Sequence, residues 1–306
     1  MLPTQSNLRI SSPVSSKTTP ELARGFALTP AGRIHYASAG HGTPVVLLHM
    51  SPRSWTAYRR VIPILARSHH VIAMDTLGFG DSDDPPRSFG IPDYASSVVG
   101  LMDSIGVDRA HIWGSMTGSR IASELAAGWP ERVRKLVLMG FPLFAGREQQ
   151  RARIETAKEE QWWVPREDGS HLLRMWQHAL YGFGKDIPVA LAPTEIDPIG
   201  WQYALDYIAD GVRAGDGYLR AALTVYEHDP RPALRKITAP TLVIGLAGER
   251  MREHIAGIGR AQAVGALIED SRVVLLESPQ ADCRATYYLA ESLVELTRTF
   301  FEDPDS

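Results

Sequence analysis

Short runs that are apolar on both faces, separated by segments of helical spacing, constrain this chain more than any other feature. Val45-Val46-Leu47-Leu48, His70-Val71-Ile72-Ala73-Met74, His111-Ile112-Trp113 and Lys135-Leu136-Val137-Leu138-Met139 are four such runs. Strands of this kind are buried under helices on both sides. The stretch 57–67 places Tyr58, Val61, Ile62 and Leu65 on one side of a helix. Helical spacing returns over 94–105 and 119–127. Strands alternating with helices predict an α/β fold with a mostly parallel central sheet and right-handed crossovers. Ahead of it, Gly25-Phe26-Ala27-Leu28 and Arg33-Ile34-His35-Tyr36 flank Thr29-Pro30-Ala31-Gly32 and predict a hairpin.

The rhythm breaks over 142–234, which is helical or irregular and carries Trp162, Trp163, Trp176, Tyr181, Trp201, Tyr203, Tyr207, Tyr218 and Tyr226. It resumes at Thr241-Leu242-Val243-Ile244 and Val273-Val274-Leu275-Leu276 and closes with a helix over 288–301. A long helical insertion between two strands of one sheet predicts a cap over the sheet's end. The expected division is an arm at 1–20, rich in Ser, Thr and Pro; a core at 21–141 and 235–306; and a helical cap at 142–234.

A net charge of -3 gives no basic field for nucleic acid or an anionic membrane. The single cysteine, Cys283, rules out a disulfide framework within the chain and points to a reducing compartment. No apolar run is long enough for a signal peptide or a membrane helix, so a cytoplasmic location is expected. The expected partner is a small molecule, with a homodimer left open. No cofactor motif stands in the sequence, and His171, His178 and His228 lack metal-ligand spacing, so neither a cofactor nor a metal is expected.

Four segments in order resemble the α/β-hydrolase family, in particular its epoxide hydrolase and haloalkane dehalogenase branch with a helical cap. They are Leu48-His49-Met50-Ser51-Pro52; Asp75-Thr76-Leu77-Gly78-Phe79-Gly80-Asp81-Ser82; Gly114-Ser115-Met116-Thr117-Gly118; and Pro240-Thr241-Leu242-Val243-Ile244. Pro130-Glu131-Arg132-Val133 also fits, and the resemblance covers about residues 25 to 302.

The resemblance implies a nucleophile in the middle of Gly-x-Nuc-x-Gly, a His after the last strand as base, and an acid that orients it. Here the middle residue is Met116, whose thioether has no proton to lose and cannot be activated. No Gly-x-[Ser/Cys/Asp]-x-Gly stands anywhere else in the chain. Ser115 comes one position early, and a strand-to-helix turn sends its side chain elsewhere. The His position falls at or near Gln280, and the last histidine is His254, before the final strand. Glu249 matches the acid and reads equally as a solvated loop carboxylate. The backbone N–H groups of Ser51 and Thr117 match the family's oxyanion hole, with Met50 narrowing that loop where Gly is usual.

The expected catalytic set is thus Glu249, Ser51 and Thr117. The substrate is expected against His49, Met50, Ser51, Arg53, Ser115, Met116 and Gln280. Of these, His49 also reads as a support for the loop, and Arg53 as a contact for either an anionic group or an acidic partner. Asp75 is expected to hold its own glycine-rich turn. The function these residues imply is a non-hydrolytic step on a bulky, largely apolar carbonyl compound: cyclisation, elimination, C–C cleavage or isomerisation. The alternatives are a hydrolase whose water is activated by another residue and a ligand-binding pseudoenzyme.

Overall fold

In a computed structural model, the chain is described over residues 20–159, 164–181, 196–248 and 258–304. Eight strands form one sheet: β1 (Ala23–Thr29), β2 (Gly32–Ala39), β3 (Pro44–Leu48), β4 (His70–Met74), β5 (Ala110–Ser115), β6 (Val133–Met139), β7 (Thr241–Leu246) and β8 (Ser271–Leu276). Their order is β1-β2-β4-β3-β5-β6-β7-β8. β1 and β2 pair antiparallel, β2 runs antiparallel to β4, and every pairing from β4 to β8 is parallel. The expected hairpin closes with Thr29 opposite Gly32. β5 is buried at every residue because helices cover both faces of the sheet.

The helices are α1 (Ile62–Leu65), α2 (Ile91–Ser104), α3 (Thr117–Gly128), α4 (Arg147–Glu159), α5 (Ser170–Tyr181), α6 (Pro198–Ala214), α7 (Gly217–Glu227), α8 (Arg231–Leu234), α9 (Ile258–Gly265), α10 (Ala285–Tyr288) and α11 (Ala290–Glu302). The stretch 57–67 is not one helix. A 3₁₀ turn, Trp55–Tyr58, precedes the single turn α1. Pro63 has no N–H to donate backward, so a helix cannot run through it. The predicted inward residues Tyr58, Val61, Ile62 and Leu65 are nevertheless all buried.

α4 to α8 lie between β6 and β7, where the strand rhythm breaks. α6 starts sharply because Asp197 accepts from the N–H groups of Ile199 and Gly200, with Pro198 in the first turn. α6 is then tied to the core. The Asp210 carboxylate accepts from Arg53 Nε at 2.9 Å, Ser54 Oγ at 2.7 Å and Thr56 Oγ1 at 2.6 Å. One turn earlier, Asp206 accepts from Arg59 Nε at 2.9 Å and from the Tyr287 hydroxyl at 2.6 Å. The expected arm at 1–20, apart from Pro20, lies outside the described residues, as do Trp162, Trp163, Glu249 and His254.

Candidate active site at the strand-to-helix elbow

β5 ends at Ser115 and α3 begins at Thr117, so one residue makes the turn. That residue, Met116, has φ 52° and ψ -110° and is the one positive-φ residue other than glycine among the described residues. Such a conformation stores about 1–3 kcal/mol and persists only where neighbours enforce it. The two glycines show the enforcement. A Cβ on Gly114 would stand 2.3 Å from the Gly118 carbonyl oxygen, and one on Gly118 would stand 2.0 Å from the Leu48 carbonyl oxygen. The Met116 N–H donates to Met139 O at 2.9 Å, and the Ser119 hydroxyl donates to Met116 O at 2.5 Å.

The elbow opens into a small void that is partly open to solvent. Met50, Ser51, Met116 and Thr117 form its floor. Tyr207 from α6 and Tyr218 and Tyr226 from α7 give it aromatic walls. Trp176 and Trp201 instead pair edge-to-face at 5.0 Å, and Trp201 is exposed. Arg153 and His178 bring polar groups to the lining.

The expected oxyanion donors meet at this floor. The Ser51 N–H points at Thr117 Oγ1, 3.4 Å away. Thr117 is the first residue of α3, so its N–H has no acceptor within the helix and lies at the positive end of the helix dipole. The Ser51 hydroxyl oxygen has under 1 Å² exposed and no partner among the described residues.

Four residues expected against the substrate do not line this void. Ser115 is fully buried, and its Oγ lies 2.7 Å from the Tyr58 hydroxyl. His49 is a loop support: its Nε2 accepts from the Thr76 N–H at 2.9 Å, which leaves Nδ1–H to donate to Met50 O at 3.0 Å. Burial pushes the imidazole below its ordinary pKa and keeps it neutral. Arg53 is buried rather than free to meet an anionic group or an acidic partner, held by Asp210 and by the Tyr287 hydroxyl at 3.0 Å, with Tyr203 under its guanidinium at 5.0 Å. Gln280 turns back on its own loop, where its Oε1 accepts from Ser278 Oγ at 2.9 Å.

The residue that the loop after β8 brings to the void is Cys283. Counting from the strand missed it because the loop makes a tight turn first, with Ala281 N–H donating to Ser278 O and Asp282 N–H to Gln280 O. Its standing as the only cysteine in the chain was the available signal.

Asp75 behaves as expected of a turn holder. Its carboxylate accepts from the Trp55 N–H at 2.6 Å and the Asp81 N–H at 3.0 Å, with His35 Nδ1 at 2.8 Å. His35, Asp75 and Asp81 lie close enough to hold a metal ion, but these hydrogen bonds already occupy the Asp75 oxygens. Behind the void wall, Arg120 is buried among carbonyls, donating to Pro142 O at 3.1 Å, Val225 O at 2.9 Å and His228 O. Burial pushes its pKa down to about 9. Pro142 and Val225 line the void, so this charge sits directly behind its wall.

The chain belongs to the alpha/beta hydrolase fold family, whose model matches residues 43–276. It is 36% identical over 140 residues to a 2-hydroxymuconate semialdehyde hydrolase of Pseudomonas sp. (strain CF600), covering 42% of this chain and 49% of that relative. It is also 36% identical over 119 residues to a soluble epoxide hydrolase of Corynebacterium sp. (strain C12), covering 39% and 42% of the two chains. The matched part thus spans at most about half the length of these relatives. A solved hydrolase from Pseudomonas aeruginosa PA01 superposes with a TM-score of 0.71 at 21% identity, over 92% of this chain and 98% of that one. The structural likeness speaks for the fold alone. No described helix is long and apolar enough to cross a membrane.

Proposed function

We propose that this hydrolase-fold chain catalyses a non-hydrolytic reaction, such as isomerisation, elimination, C–C cleavage or cyclisation, on a bulky, largely apolar carbonyl compound. The observation that carries the reading is Met116 at the strained elbow. The family's turn is kept, and the side chain it presents cannot be deprotonated. The carbonyl is inferred from the donors left in place: backbone N–H groups of Ser51 and Thr117 remain suited to an oxygen on which charge develops. Tyr207, Tyr218 and Tyr226 favour an apolar, ring-bearing body. Arg153 in the lining, with Arg120 behind it, favours a substrate that also carries an acidic group.

A second reading, hydrolysis by water activated at another residue, is favoured by the relatives named as hydrolases. Turnover in ¹⁸O-labelled water separates the two. Product that takes up no solvent oxygen supports the non-hydrolytic reading; stoichiometric uptake sinks it. As a preliminary test, p-nitrophenyl acetate should be hydrolysed at the rate of buffer alone.

A further inference from the structure

β1 is an edge of the sheet: β2 pairs along one side of it, and no strand among the described residues lies along the other. Every second residue of such a strand directs its N–H and C=O away from the sheet, ready to pair with another strand. The devices that usually blunt an edge are missing here. β1 has no proline, its register with β2 runs unbroken from Ala23 to Thr29, and Arg24 is its one charge. Ala27 is buried, but the alternating residues Arg24, Phe26 and Leu28 share the opposite face and are exposed. Leu28 is 75% exposed and Phe26 53%, the two highest values for large apolar side chains among the described residues. Leu22, just ahead of the strand, continues the series at 41%.

The strand that fits this edge is its own copy. An edge strand can pair antiparallel with itself about a two-fold axis, each residue facing its symmetry-related position. With the axis at Gly25, Arg24 stands opposite Phe26 of the second copy, and Leu22 opposite Leu28. Each pairing occurs twice. It sets a guanidinium beside a ring and covers one leucine with another. At the axis glycine meets glycine, so no side chain holds the strands apart. No ion pair among the described residues engages Arg24. Phe26 is fixed by the edge-to-face His35 ring at 5.2 Å and by Arg33, itself paired with Asp83, at 5.5 Å. We propose that two copies of this chain join β1 to β1, antiparallel about Gly25, so that their two eight-stranded sheets become one. This edge is independent of the reaction proposed above.

Sedimentation velocity on the full chain tests it, with a two-chain mass expected at about 50 µM. Phe26→Arg and Phe26→Glu then probe the register. Both remove the ring, but the first sets like charges opposite Arg24 of the second copy and the second sets unlike ones. The dimer Kd of Phe26→Arg should exceed that of Phe26→Glu by about tenfold or more. Adding Arg24→Glu to each should reverse that order, which loss of an apolar patch alone would not do. Far-ultraviolet circular dichroism establishes that the variants are folded. One-chain mass at every concentration overturns the proposal. In that monomer, slow hydrogen exchange at the β1 amides that point off the sheet would assign the edge to residues 1–19 of the same chain. A dimer that Phe26→Arg and Phe26→Glu weaken equally also overturns it, because the contact then lies elsewhere or in another register.

Discussion

Arg53 Nε lies 2.9 Å from Asp210 Oδ2, and both side chains are almost wholly buried. This contact joins the loop that carries Ser51 to a helix inserted between β6 and β7. A buried ion pair is weak as a source of net stability, yet removing one partner strands the other in a poor solvent. Asp210→Ala should therefore cost roughly 3–5 kcal/mol in urea denaturation. The double variant Arg53→Met/Asp210→Leu should recover most of that loss, since no charge is left unpaired. A single variant within about 0.5 kcal/mol of wild type would show that the pair does not close as described.

The two ends of α3 respond oppositely to the same change. Gly118→Ala drives a Cβ to 2.0 Å from the Leu48 carbonyl oxygen, so β3 and α3 must separate. A loss of more than about 4 kcal/mol, or failure to fold, is expected. Gly128 has nothing within 4 Å of its added Cβ, and Gly128→Ala should stabilise by about 0.5–1 kcal/mol through helix propensity and chain entropy. Thermal melts of the two variants check this; equal midpoints would contradict the crowding at Gly118.

His111 stacks on Phe301 at 4.3 Å, and burial, followed by the nearby His69, Arg134, Lys135 and Arg109, pushes its pKa down to about 3. The unfolded chain takes up this proton near the ordinary value of about 6.5, whereas the folded chain does so only near the depressed one. The stability it contributes is complete above about pH 6.5 and is lost as pH falls toward 3. His111→Phe keeps the stacking and removes the titration. Its stability relative to wild type should rise steadily from pH 7 to pH 4 in denaturant titrations. A difference that is flat across that range would mean that His111 titrates normally.

The frame of the molecule was legible because both-face apolar runs have few places to go: β3, β4, β5 and β6 each include the run read as a strand. The elbow was legible because two close backbone approaches demand Gly114 and Gly118 whatever residue stands between them. Side-chain direction was harder. Ser115 and Met116 are adjacent, yet one is buried against Tyr58 and the other lines the void, because the strand ends at Ser115 and the chain turns at Met116. Arg53 could not be placed because its partner Asp210 is remote in sequence. Gln280 and Cys283 were confused because a loop's turn, unlike a strand, has no period to count along.

That Met116 and Cys283 line one void can be tested by restoring the chemistry the family usually runs. Met116→Ser would place a hydroxyl at the strained turn, directed where the Met116 side chain now points. Cys283→His would place an imidazole on the wall reached by the loop after β8. Neither change alone completes a nucleophile and base, so each single variant should hydrolyse p-nitrophenyl acetate at the buffer rate. Groups that act as a unit are strongly non-additive, and the double variant should exceed either single by about 10²-fold or more in kcat/KM. The Ser51 and Thr117 N–H groups are backbone and remain in every variant, so any gain reports the new pair alone. Circular dichroism in the near ultraviolet establishes that the variants are folded. A folded double variant that stays at the buffer rate would show that position 283 does not reach the elbow, and the assignment of Cys283 to the site would fall with it.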